Sequence, residues 1–313
     1  RAEERLKGQR EVHEGLIEKG LKIISDSYLA PFLARSEAAG LAVAGVSREG
    51  KNFEEIVSEA DGNGYDLVVM GAHGLGKTDI SRIGSVVERV ARRVKADILI
   101  MKDASSSGPS NDIAAAIDGS PASFGALASA IHLSKVFKTG VAAMSAFDPD
   151  FHRTAFRSIA GVLSDEAGRI FRFKEQEKLH DEIIDTGLAR IYAGHLESAA
   201  KMAGAKGVNL KTTLLSGKAS TEIIRYCQRE RPFILALGRT GVHATEALDI
   251  GATTENCLRE APCNILITSR EAALPPALAS GVEWDAEAKT VLSSIPSFVR
   301  QMVKKMAEDA ARQ

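Results

Sequence analysis

The chain has 313 residues, 26% of them charged and 5% aromatic, with a formal net charge of −1. That length supports two domains with separate cores, and the near-zero charge excludes a bulk electrostatic pull toward nucleic acid or membrane. No apolar run reaches membrane-spanning length, so a soluble cytoplasmic protein is expected.

In chain order, the residue pattern predicts a helix over 10–38, a strand at 41–46, a helix at 52–61 and a strand at 66–70. A glycine loop, a helix at 84–95 and a strand at 97–102 follow. Leu67 to Met70 and Ile98 to Met101 are continuously apolar, the pattern of parallel strands covered on both faces. Ala104 to Asn111, rich in Ser with Gly and Pro, reads as a linker. Next come an apolar run, Ile113 to Ile117, the turn Asp118-Gly119-Ser120-Pro121, a helical pattern from Ala122 to Phe137, and a second apolar run, Val141 to Phe147. Thr268 to Gly281, with Pro275-Pro276, reads as another linker. The expected organisation is domain 1 at 1–103, a linker at 104–111, domain 2 at 112–269, a linker at 270–283 and a helical module at 284–313.

The two halves are copies. Gly71, Gly74 and Gly84 recur as Gly238, Gly241 and Gly251, each at an offset of 167 (238 − 71, 241 − 74, 251 − 84). At the same offset Gly50-Lys51 matches Gly217-Lys218, Glu88 matches Glu255, and Ile98-Leu99-Ile100 matches Ile265-Leu266-Ile267. A period this long indicates duplicated domains rather than a solenoid. Residues 112–167 have no counterpart before Arg1, so copy 1 lacks a strand, a helix and a strand. The chain also starts with Arg. A truncated first copy is the expectation, and a half-domain that borrows its missing strands is the alternative.

Each glycine loop joins an apolar strand to a helix. Such a loop turns backbone N–H groups outward beside the positive end of a helix dipole, which suits phosphate. Alternating strand and helix give a parallel sheet with right-handed crossovers, and ligands sit beyond the carboxyl ends of its strands. A rival pattern overlaps copy 1: Gly71 to Thr78 satisfies G-x4-G-K-[ST], in which Lys77 would reach phosphate and Thr78 would hold Mg²⁺. The duplicate does not keep it, because Gly76 becomes His243 and Lys77 becomes Ala244. His73 lies within the first loop, where contact with phosphate or ribose and tuning of the loop are equal readings.

His13 and His180 are paired by the duplication and read as packing or surface residues. No catalytic set and no metal-ligand cluster is legible. The three cysteines, Cys227, Cys257 and Cys263, argue against a disulfide framework or zinc site and read as ordinary buried thiols. The charged run Glu88 to Lys95 reads as the solvated face of its helix.

Strand, G-x2-G-x9-G-[S/T], helix, strand, with Asp-Gly-Ser after the first strand, resembles the universal stress protein family over nearly all of residues 1–269. The resemblance implies an α/β fold: two Rossmann-like parallel-sheet domains in tandem, the first N-terminally incomplete. It also implies ATP as ligand, alone or with Mg²⁺, its phosphates and ribose on the glycine loop. The residue before the first glycine and the Asp after strand one would lie near the nucleoside. Carried over residue by residue, copy 1 supplies Met70, Gly71, Gly74, Gly84, Ser85 and Val86, with His73, Gly76 and Lys77 inside the loop. Copy 2 supplies Asp118, Gly119, Ser120, Gly238, Gly241 and Gly251. There Ala252 replaces the hydroxyl residue, and Thr253 stands one position late. Ser85 against Ala252 makes copy 1 the better site once its missing strand is present.

The family dimerises through the last strand of each domain. Ile98 to Ile100 and Ile265 to Ile267 therefore offer matching edges for an intramolecular pseudo-dimer or a homo-oligomer. The tail, Trp284-Asp285-Ala286-Glu287-Ala288 through Ile295-Pro296 and Phe298-Val299-Arg300, resembles the small helical domain at the C-terminus of one component of light-independent protochlorophyllide reductase. Its apolar stripe, Phe298, Met302 and Met306, implies docking on a protein partner or on domain 2. The expected function is that of an ATP-binding regulatory or adaptor protein. Alternatives are a slow ATPase using the copy 1 loop and a structural subunit of a redox or tetrapyrrole assembly.

Overall fold

Seven strands form among the described residues. Five are buried along nearly their whole length, whereas Leu67–Gly71 and Leu210–Ser216, the two at the ends of the sheet, carry exposed positions. The cover on both faces expected for Leu67 to Met70 is therefore a correction. The computed structural model describes residues 2–74, 82–102, 111–149, 173–242, 249–272 and 284–294, with Lys304 and Ala307. They form two compact units, residues 1–56 and 57–313.

In the first unit, helix α1 (Ala2–Ala38) ends at Gly40, whose φ of +68° lets the chain turn back. Residues 41–49 that follow carry no strand. Gly45 lies against Leu29 and Leu33, and the hydroxyls of Ser25 and Ser47 are 2.8 Å apart. The strand expected at 41–46 is therefore a correction, and copy 2 supplies the reason. There the equivalent segment forms β5 (Leu210–Ser216), which pairs along its whole length with β4 (Val141–Phe147). The counterpart of β4 is not among residues 1–313, so this ladder has no partner strand in copy 1. For the same reason Leu21, Tyr28 and Phe32 of α1 are exposed. In copy 2, Leu196, Ala199 and Ala203 of the equivalent helix α5 (Phe173–Ala205) are buried in a core that includes Val141 and Ala143 of β4.

The second unit holds the sheet. After helix α2 (Asn52–Gly62), which crosses the unit boundary, come β1 (Leu67–Gly71), α3 (Ser85–Arg93) and β2 (Asp97–Met101). Copy 2 follows with β3 (Ile113–Ala116), α4 (Pro121–Phe137), β4, α5 and β5. It continues with α6 (Ala219–Glu230), β6 (Ile234–Gly238), α7 (Ala252–Glu260) and β7 (Asn264–Thr268). A last helix, α8 (Ala286–Ser294), begins the tail, and Phe298, Met302 and Met306 lie outside the described residues.

The strand order is β1-β2-β7-β6-β3-β4-β5, one continuous sheet of seven. Every pairing is parallel except β2 with β7, which is antiparallel. Two parallel-sheet domains in tandem were expected, with Ile98 to Ile100 and Ile265 to Ile267 as matching edges; the structure pairs those edges, and the result is a single mixed sheet. The join explains this. The open edges of the two last strands satisfy each other's main-chain groups. Leu99 pairs with Leu266 at its centre. These two residues are themselves 167 apart (266 − 99), so the join lies on the pseudo-twofold of the duplication.

Side-chain oxygens close both ends of that join. Ser269 N–H donates to Asp97 Oδ1 at 3.0 Å, and Lys102 N–H donates to Asn264 Oδ1 at 2.8 Å. Asp97 and Asn264 are equivalent positions, as are Lys102 and Ser269. Beside the strands, α3 and α7 exchange charges by the same symmetry: Arg92 pairs with Glu255, and Arg259 with Glu88. The run Glu88 to Lys95 is thus not simply a solvated face. Glu88 and Arg92 lie at the join, while Arg89 and Arg93 are exposed. Of the two expected linkers, residues 103–110 and 273–283 are outside the described set. At the start of the second, Arg270 and Glu271 are exposed and Ala272 N–H donates to Pro121 O at 3.0 Å.

Candidate functional site

The cleft begins where β3 ends. Ile117 N–H still donates to Met144 O at 2.8 Å, and the chain then turns through Asp118, Gly119 and Ser120. Ser120 caps α4, its Oγ accepting from Ser123 N–H at 3.1 Å, and Pro121 takes the first helical position. Asp118 fixes the turn. Its Oδ1 accepts from the N–H (3.0 Å) and hydroxyl (2.6 Å) of Ser120, and its Oδ2 accepts from Val242 N–H at 3.0 Å. The acid that follows strand one therefore holds the glycine loop that follows β6.

Glycine is required at two places here. A Cβ on Gly241 would lie 2.4 Å from Asp118 Oδ2. Gly119 has a φ of +90°, and a Cβ on it would lie 2.5 Å from the His195 imidazole of α5. Tyr192, one turn earlier on α5, stacks obliquely on His195, with ring centroids 5.4 Å apart. Burial, with the Asp118 carboxylate adding to it, pushes the Tyr192 phenol above its ordinary pKa.

The loop after β6 is anchored at both ends. Arg239 N–H donates to Thr268 O at 2.9 Å, and Gly251 N–H donates to Arg239 O at 2.8 Å. Gly251 is the N-cap of α7 and, having no side chain, gives it no cap bond. The first N–H groups of that helix thus lack an intrahelical acceptor. Thr254 Oγ1 donates to Gly238 O at 2.8 Å. A cleft of about 310 Å³ results, lined by Asp118, Thr240, Gly241, Gly251, Ala252 and Thr253 among others. It opens beyond the carboxyl ends of β3 and β6.

Copy 1 repeats the loop. Ala72 N–H donates to Met101 O at 2.8 Å, and Gly84 N–H donates to Ala72 O at 2.7 Å. Gly84 caps α3 with φ −71° and ψ 141°, against −72° and 144° at Gly251. Met70, the last strand residue but one, is half-buried, Gly71 and Gly74 are exposed, and Ser85 and Val86 open the helix. His73 Nδ1 is buried without a hydrogen-bond partner among the described residues. Gly76 and Lys77, and with them the end of the Gly71 to Thr78 pattern, lie outside the described residues. Because β2 runs antiparallel to β7, the two loops lie at opposite ends of the strands.

The structure thus brings together Asp118, Gly238, Gly241, Gly251 and Thr253 around one cleft, with Gly119 and Ser120 in the turn beside it rather than in its lining. Met70, Gly71, His73, Gly74, Gly84, Ser85 and Val86 gather at the other loop, with no counterpart of Asp118 among the described residues. Two residues escaped sequence reasoning. Val242 holds Asp118 through its backbone, which no side-chain pattern reveals. Arg239 leaves the copy 2 loop: it donates to Ser269 Oγ at 2.8 Å and reaches copy 1 at the carbonyls of Ala91 and Ala96. The signal was the mismatch at offset 167, where copy 1 has Ala72. Among the described residues no group of three or more His, Cys, Asp or Glu is placed to hold a metal ion, and no helix is long and apolar enough to cross a membrane.

The model of the universal stress protein family matches residues 2–102 and 110–269. The chain belongs to the universal stress protein family. A universal stress protein of Methanocaldococcus jannaschii is 27% identical over 75 residues, which span 24% of this chain and 44% of that relative. Among solved structures, a universal stress protein of Archaeoglobus fulgidus aligns with a TM-score of 0.54 at 18% identity, covering 78% of each chain. A protein of Pseudomonas aeruginosa PAO1 described as functionally unknown aligns with a TM-score of 0.51 at 16% identity, covering 78% of this chain and 77% of that one. Both likenesses concern the fold. The last residues of this universal stress protein, 284–313, match a second family model, Proto-chlorophyllide reductase 57 kD subunit.

Proposed function

We propose that this universal stress protein binds an adenine nucleotide, ATP, in the copy 2 cleft and acts as a regulator rather than a catalyst. One observation carries the reading. A cleft of about 310 Å³ sets an acid, Asp118, against a glycine loop and the uncapped N-terminus of α7. The phosphates would take the first N–H groups of α7, with Thr253 beside them and the helix dipole in their favour. Asp118 would face the nucleoside. Mg²⁺ would accompany the phosphates, with no ligand cluster for it among the described residues.

The hydroxyl pattern, Ser85 against Ala252, favours copy 1, whereas the assembled cleft favours copy 2. We assign the site to copy 2 because an acid and a glycine loop meet there. The test is acid release and mass identification of nucleotide from purified protein, followed by titration of labelled ATP. Gly251→Val is expected to remove most binding and Gly84→Val to spare it. The reverse result moves the site to copy 1, and binding unaffected by both changes removes the proposal.

The tail supports a second role, docking on a protein partner, because residues 284–313 match a family model of their own. Phe298→Asp is expected to release a partner in pull-down and leave ATP binding unchanged. A lowered melting temperature with no complex lost would instead put the tail on copy 2.

A further inference from the structure

Strand β1 is an outer strand of the sheet, and the duplication specifies what its free side takes. Its equivalent, β6, is an interior strand that pairs in parallel with β3, Ile113 opposite Ile234 and Ala115 opposite Ala236. At offset 167, Ile234 and Ala236 correspond to Leu67 and Val69. Ile234 and Ala236 are fully buried in a core that includes Phe124 and Leu127 of α4. Leu67 and Val69 are 39% and 57% exposed, and among the described residues no strand pairs with the outer side of β1. The other outer strand, β5, carries Lys211, Thr212 and Thr213, and a charged edge resists a further strand. Leu67 to Gly71 holds no charged residue and no proline.

The glycines supply an independent observation. Gly238 is pressed by α4, since a Cβ on it would lie 2.9 Å from the carbonyl carbon of Ala122. Gly241 is pressed by the Asp118 carboxylate. Copy 1 keeps glycine at both equivalent positions, Gly71 and Gly74, where the described residues leave room for a side chain. A Cβ on Gly71 would have His73 O as its nearest described neighbour, at an ordinary 3.6 Å, and one on Gly74 would meet no described atom within 4 Å. Neither carries a φ in the left-handed region. The described surroundings of these two residues do not call for glycine. An acid and a helix arriving as they do in copy 2 would.

We infer that the free side of β1 is a docking site for a partner segment of strand–turn–helix form, with the chemistry of Ile113–Phe137. That chemistry is a short run of small apolar residues, an acid, and a helix with Phe and Leu on one face. The segment adds by strand augmentation. Its strand lies parallel to β1, the first residue opposite Leu67 as Ile113 stands opposite Ile234. The acid comes to Gly74, the start of the helix comes to Gly71, and the helix face covers Leu67 and Val69. The chain's own Ile113–Phe137 is not the occupant, because β4 and β6 already hold its strand. A second copy is not the occupant either, because its segment is held in the same way.

The test uses the full chain and, as probe, a fluorescent synthetic peptide with the sequence of residues 112–138. Titration, with hydrogen exchange measured at saturation, is expected to give one peptide per chain and slower exchange at Leu67 to Gly71, with β5 and β6 unchanged. Gly71→Ala is expected to keep the melting temperature of the chain and to weaken the peptide roughly tenfold, the cost of overpacking against the helix start. Gly74→Ala is expected to weaken it as well, and a peptide with Asp118→Ala is expected to lose its sensitivity to that change. No saturable binding, altered exchange at β6 without protection of β1, or equal affinity for wild type and Gly71→Ala overturns the inference. Protection of β1 that grows with chain concentration in the absence of peptide also overturns it, by making a second copy the occupant. None of these readouts depends on nucleotide.

Discussion

Asp97 and Asn264 do one job with two chemistries. Each stands first in its strand, is buried, and accepts a backbone N–H from just beyond the end of the partner strand. Asp97 carries a charge there, and burial raises its carboxyl above the ordinary value, against the pull of Arg270 and Arg239. A carboxyl whose folded pKa is raised supports folding most below its unfolded pKa. That support fades as pH rises through the folded value. Asp97→Asn keeps the Ser269 bond and removes the titration. Its melting temperature, relative to wild type, is therefore expected to improve between about pH 4 and about pH 7. The opposite trend would mean that the Arg270 ion pair, at 3.1 Å, outweighs burial. Asp97→Ala lacks the acceptor altogether and is expected to cost roughly 1–3 kcal/mol at any pH.

At the scale of elements, α3 and α7 meet through two arginines and two glutamates that exchange partners by symmetry. Arg92 has the most to lose, since it also reaches Asp249 at 3.4 Å and Glu88 at 3.8 Å. The Arg92 and Glu255 side chains are about one-quarter exposed, so their pairing should exceed that of a fully solvated pair only modestly. A double-mutant cycle on Arg92→Met and Glu255→Gln is expected to give a coupling of about 0.5–1 kcal/mol. Coupling near zero would reduce the quartet to surface decoration. These helices were legible in the sequence because their glycine caps and apolar faces are local signals. Their partnership was not, since a charged helix reads the same whether it faces water or a copy of itself. The strand expected at 41–46 shows the limit from the other side. Leu41 to Val46 has strand composition, but a strand exists only as half of a ladder, and its ladder partner is not in the chain. The copy 2 loop was legible through its glycines, whereas the grip of Val242 on Asp118 and the reach of Arg239 into copy 1 are tertiary facts with no periodicity.

At the scale of the whole molecule, the antiparallel join makes the duplicated sheets one body between β1 and β5. Copy 1 contributes more than an edge. Leu99, at the centre of β2, is buried in the same core as Ile113, Phe124, Leu127, Ile234 and Leu266, all residues of copy 2. A residue of one copy that fills the core of the other couples their stabilities. Leu99→Ala leaves a cavity there and is expected to cost roughly 2–5 kcal/mol. The distribution of that cost separates a shared core from two adjacent ones. If the core is shared, hydrogen exchange should quicken at the amides of β6 and β7 as well as those of β1 and β2, and residues 57–313 should melt in one transition at a lower temperature. Faster exchange confined to β1 and β2 would show that the join is a contact between independent halves. The symmetric change, Leu266→Ala, provides the control. It should disturb both sides of the join by a similar amount, because Leu266 sits opposite Leu99 on the pseudo-twofold.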